Sequence, residues 1–160
     1  MQHSIFTKIL YATDLSETAK KAARYAVNLA DTYGAELTVI NIILDRVEEL
    51  SAGSCYGLIG HYPPDILEKF NKDGIEASKK SISERIHLIC GEEGGKRLDG
   101  PVIVKVGQPV EQIIRAATEG GFDLVVMGTH GHGILEDLLL GSVARGVVKK
   151  CPVPVLTIRL

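Results

Sequence analysis

A chain of 160 residues, 45% hydrophobic and 24% charged, has the size and make-up to bury one core as a single domain over residues 1–160. The formal net charge of −2 gives no electrostatic pull towards nucleic acid or an anionic membrane. No apolar run approaches the ~18 residues of a membrane span, and the opening MQHSIFTKIL has no long h-region, so a cytoplasmic location is expected. Cys55, Cys90 and Cys151 are odd in number and far apart, which argues against a disulfide framework or a Cys-x2-Cys metal site.

In chain order, Ile5 to Tyr11 reads as a first strand. Ser16 is a candidate N-cap for a helix from Glu17 to Tyr33, carried on Ala19, Ala22, Ala23, Ala26, Val27 and Ala30, with Gly34 as its C-cap. Glu36 to Leu44 is a second strand, apolar on both faces beyond Thr38, as a sheet covered on each side requires. Residues 45 to 65 hold no single period and form a long irregular connection that includes His61. Ile66 to Glu92 has helical spacing, weakened by Gly74, and Gly91 to Gly100 is a polar connector. Pro101 to Val106 reads as strand three, and a helix follows over Val110 to Glu119 with Pro109 in its first turn.

The most informative stretch is Phe122 to Lys150. A buried strand, Leu124 to Met127, runs into Gly128, Gly131 and Gly133, and a helix pattern starts at Gly141-Ser142 with Val143, Val147 and Val148. A strand, a glycine loop and a helix start present unpaired backbone N–H groups to an anion, and glycine lets a phosphate come close. The Ser142 hydroxyl can donate to a phosphate oxygen. Asp14 follows strand one, where an open parallel sheet faces its ligand crevice, and its carboxylate can accept from a ribose hydroxyl or an adenine amino group; a turn role is the plain alternative. His130 and His132, two apart with no third ligand nearby, make a poor transition-metal site. The chain has no Gly-x4-Gly-Lys-[Ser/Thr] motif and no evident nucleophile–base pair.

The spacing Gly128-x2-Gly131-x9-Gly141-Ser142 resembles the nucleotide-binding signature of the ATP-binding branch of the universal stress protein family. The runs Leu10-Tyr11-Ala12-Thr13-Asp14-Leu15-Ser16, Gly107-Gln108-Pro109 and Cys151-Pro152-Val153-Pro154 are similar to that family as well, although Ala12 stands where many members carry proline. The resemblance covers nearly the whole chain. It implies a doubly wound, Rossmann-like α/β sheet of five parallel strands in the order 3-2-1-4-5. It implies an adenine-nucleotide site at Ala12, Thr13, Asp14, Ile42, Met127, Gly128, His130, Gly131, Gly141, Ser142 and Val143, with ATP as ligand and Mg²⁺ or Mn²⁺ held mainly through the phosphates. It also implies a homodimer through the last strand, Val153 to Ile158. On this reading the protein is a nucleotide-dependent stress-response switch. The alternatives are a slow or partner-stimulated ATPase and a nucleotide-free interaction module.

Overall fold

A computed structural model describes residues 5–43, 79–88, 100–129 and 140–159, with the side chains of Glu17 and Thr18 left aside. Its elements are β1 (Lys8–Ala12), α1 (Glu17–Tyr33), β2 (Glu36–Ile43), a helical stretch α2 (79–88), β3 (Val102–Val106), α3 (Pro109–Glu119), β4 (Leu124–Gly128), α4 (Ser142–Lys150) and β5 (Val155–Ile158). The five strands form one sheet in the order β3-β2-β1-β4-β5, and every pairing is parallel. The irregular connection 45–65, the expected helix before residue 79 and after residue 88, and the connector up to residue 99 lie outside the described residues, as do Cys55, His61 and Cys90.

Alternation along the strands feeds two cores. Ile9 and Tyr11 of β1, Leu37 and Val39 of β2, and Leu124 and Val126 of β4 pack with α1 and Ile86 on one face. Leu10, Ala12, Ile40, Val125 and Met127 pack with α3 and α4 on the other. The sequence makes α1 suited to this because Ala22, Ala23, Ala26 and Ala30 are fully buried and let its backbone lie close to the strands. Ser16 caps α1 as expected, accepting from the Ala19 N–H at 3.2 Å, and Gly34 ends it in the left-handed region at φ 66°. The buried Tyr11 hydroxyl donates to the Ala19 carbonyl and ties β1 to the first turn of α1.

Three strands start later than expected, β3 by one residue, at Val102 after Pro101, and β1 and β5 by more. β1 begins at Lys8, not Ile5, because Asp123 captures the chain just before it. The Asp123 carboxylate accepts from the Thr7 N–H at 2.7 Å, the Thr7 hydroxyl at 2.8 Å and the Lys8 N–H at 3.2 Å. Ile5, lying ahead of this clamp, is 73% exposed. β5 begins at Val155, not Val153, because Pro152 and Pro154 have no N–H to give to a ladder. The Pro154 carbonyl still accepts from the Val125 N–H at 2.9 Å, and pairing proceeds from there.

Partial burial pushes the Asp123 carboxyl up, but the donors from Thr7 and Lys8 together outweigh it and hold it below the usual carboxylate range. A carboxyl whose folded pKa is depressed adds stability above its unfolded pKa and loses it as pH falls through the folded one. Asp123→Asn is therefore expected to lower stability at neutral pH by about 1 kcal/mol, after allowance for solvent screening. That deficit should close as pH falls below the usual carboxylate range and through the lowered folded pKa, where the parent carboxyl is itself protonated. Melting curves of both proteins across this range test it; a deficit independent of pH would remove the charge as its cause.

Candidate functional site

The connections leave β1 and β4 towards opposite faces of the sheet: α1 packs on one side and α4 on the other. Their carboxyl ends therefore part and open a crevice, as expected where strand order reverses. The cavity there measures about 500 Å³. Its apolar part is made by Ala12, Ile40, Ile42, Ile82, Ile113 and Met127, and its polar part by Thr13, Asp14, Gly128, Thr129, Gly141 and Ser142. β2 lies on one side of β1 and β4 on the other, so the isoleucines of β2 stand across from Gly128 and the start of α4.

The β1–α1 turn is held by a small set of hydrogen bonds. The Thr13 N–H continues the ladder to the Ile40 carbonyl at 3.0 Å. The Thr13 hydroxyl accepts from the Leu15 N–H at 3.1 Å, and the Asp14 carboxylate accepts from the Ser16 N–H at 3.0 Å. Asp14 thus has the turn role anticipated as the plain alternative, and its exposed side chain also lines the crevice. Leu15 sits at φ 66°, a conformation that costs a non-glycine residue roughly 1–2 kcal/mol. The turn bonds on either side, and the contact of Leu15 with the α1 core, offset that strain.

The opposite wall is the amino end of α4. Gly141 is its N-cap, in extended conformation and without a side-chain cap. The Gly141 N–H is not turned to the cavity: it donates to the Thr129 carbonyl at 2.7 Å, while the Thr129 N–H donates to Ile158 at 2.9 Å. The first helical bond runs from Arg145 back to Gly141. Hence Ser142, Val143 and Ala144, which all line the crevice, carry backbone N–H groups that precede the helix's own bonding, at the positive end of the dipole. No acidic side chain lies in that first turn to compete with a ligand's charge.

Of the residues anticipated for the site, Ala12, Thr13, Asp14, Ile42, Met127, Gly128, Gly141, Ser142 and Val143 all line this one cavity. His130 and Gly131, with the neighbouring His132, lie outside the described residues. The resemblance implies that Ile40 to Ile42 meet the adenine through backbone groups, but sequence reasoning missed the side chain of Asn41, a residue that is 5% exposed, lines the crevice and donates through Nδ2 to the Thr13 carbonyl at 2.8 Å. A signal was there: asparagine is depleted in strands, and one inside the apolar run ELTVINIIL has to find a partner. Pro109 and Ile113 of α3, and Ile82 of α2, were also missed, since only the fold brings them over the strand ends.

Residues 6–159 match the model of the universal stress protein family (Usp). The chain belongs to that family. Among other universal stress proteins, MJ0577 of Methanocaldococcus jannaschii is 33% identical over 159 residues, 97% of this chain and 96% of that protein. YxiE of Bacillus subtilis is 30% identical over 158 residues, 97% of this chain and 100% of its own. The solved structure of MJ0577 aligns with a TM-score of 0.74 at 28% identity, covering 98% of this chain and 97% of that one. A universal stress protein from Archaeoglobus fulgidus, solved in complex with dAMP, aligns with a TM-score of 0.59 at 25% identity, covering 96% and 98% of the two chains. The five-stranded order and the helices on both faces are those of the Usp fold. Among the described residues no helix is long and apolar enough to cross a membrane.

Proposed function

We propose that this universal stress protein binds ATP in the crevice and acts in the cytoplasm as a homodimeric, nucleotide-dependent regulatory switch. The observation that carries the reading is the facing of two elements. The amino end of α4 offers three backbone donors, and Asp14 offers a carboxylate across the same cavity. A triphosphate suits the donors, a ribose or adenine amino group suits the carboxylate, and the isoleucines of β2 suit the flat base. The dAMP held by the Archaeoglobus relative supports an adenine nucleotide as the ligand class. The described residues include no group of three His, Cys, Asp or Glu side chains, so the proposal assigns Mg²⁺ or Mn²⁺ to the phosphates themselves. For the dimer, the proposal uses the edge strand β5, whose Leu156 is partly exposed.

The test is to purify the protein without added nucleotide, denature it and chromatograph the released small molecules. Stoichiometric ATP is expected. ADP alone would favour turnover at the same site, and an empty protein that also ignores added Mg-ATP would overturn the proposal. Size-exclusion chromatography with light scattering tests the dimer, which a monomer at all loading concentrations would exclude.

A further inference from the structure

We infer that Asn41 is a positioning residue of the nucleotide site: its amide holds the β1–α1 turn in the form that places the Asp14 carboxylate in the crevice. The inference rests on the nucleotide reading above. Asn41 is the buried polar side chain of β2 beside the cavity, and only its NH₂ group can face a carbonyl, so the contact to Thr13 is a donation from Nδ2. Thr13 immediately precedes Asp14, and the next residue, Leu15, is in the left-handed region. Such a turn persists only when its surroundings over-determine it. The local bonds, Leu15 N–H to the Thr13 hydroxyl and Ser16 N–H to Asp14, shape the turn but do not attach it to the sheet. Beyond the ladder bond from Thr13 to Ile40, the Asn41 amide is the side-chain tie from β2 that fixes the Thr13 peptide plane. Rotation of that plane would swing Asp14 relative to the donors of α4, and a binding group about 1 Å out of place loses much of its effect.

The test is a double-mutant cycle read by titration with Mg-ATP, using the parent, Asn41→Leu, Asp14→Ala and the double variant. Each single change is expected to weaken binding about tenfold, and the double variant no more than the weaker single, because both act through one carboxylate. Losses that multiply to about 100-fold would overturn the inference, as independent sites behave that way. Unchanged affinity in Asn41→Leu would overturn it too, leaving Asn41 a purely structural residue whose loss moves only the melting temperature. Should Asn41→Leu lack a cooperative melt, Asn41→Ser, whose smaller side chain leaves space for water at the Thr13 carbonyl, takes its place in the same cycle under the same criteria. A parent that binds no ATP removes the underlying reading and this inference with it; a parent that binds while the Asn41 variants bind equally well removes this inference alone.

Discussion

Ser142→Asp is expected to make the protein more stable and to weaken ATP binding by about tenfold or more. The two effects come from one charge. Ser142 is the exposed first residue of α4, the N-cap Gly141 has no side-chain oxygen to offer, and the first turn carries no acid. A carboxylate there meets the positive end of the dipole and gains about 0.3–1 kcal/mol, or about 1–4 °C in melting temperature. The same carboxylate stands where the proposal puts phosphates. At about 5 Å and an effective dielectric constant near 20, two unit charges repel by about 3 kcal/mol, and even half of that exceeds a tenfold loss. Ser142→Asn, without the charge, should bind within about threefold of the parent, since it keeps the backbone donors and only changes one polar contact. Melting curves and nucleotide titration on the three proteins decide it. Tighter packing of the helix with undiminished ATP affinity would place the phosphates elsewhere.

Gly100→Ala is expected to destabilise the fold by more than about 3 kcal/mol, a large share of the roughly 5–15 kcal/mol that holds an ordinary domain together. A Cβ built on Gly100 would lie 1.9 Å from the Leu37 carbonyl oxygen and 3.2 Å from its carbon. That obstacle is backbone, held on β2 by the ladder to β1, so it cannot turn aside as a side chain can. Relief means lifting β3 away from β2 where the Val39 N–H reaches Pro101 and Val39 registers with Val102. Gly34→Ala is the fitting comparison: its φ of 66° disfavours alanine, but nothing lies within 4 Å of the new Cβ, so a cost of about 1–2 kcal/mol is expected. Urea denaturation of both variants separates collision from conformation. A Gly100→Ala protein as stable as Gly34→Ala would mean that the close crossing at Leu37 does not exist in solution.

These glycines also mark where the sequence could be read and where it could not. Gly34 was legible, because a glycine directly after a helical run is a local signal. Gly100 was not, because Leu37, its obstacle, lies far off in the chain, and the glycine looked like one more turn residue in a polar connector. The strand ends divide in the same way. Apolar period and β-branched content located all five strands, but their first residues depend on Asp123, on the far side of β1, and on the missing N–H groups of two prolines. In the site, the glycine spacing and the position of Asp14 after a strand point to one crevice from the sequence alone. The role of Asn41 needed the sheet, since only the pairing of β1 with β2 puts its amide beside Thr13.

The bond between the Gly141 N–H and the Thr129 carbonyl couples the start of α4 to the end of β4. It fixes the two stems of the glycine-rich stretch to each other and, through Thr129 and Ile158, to the sheet. A change that loosens β5 at Ile158 therefore reaches the helix start at the crevice through two hydrogen bonds, Thr129 to Ile158 and Gly141 to Thr129.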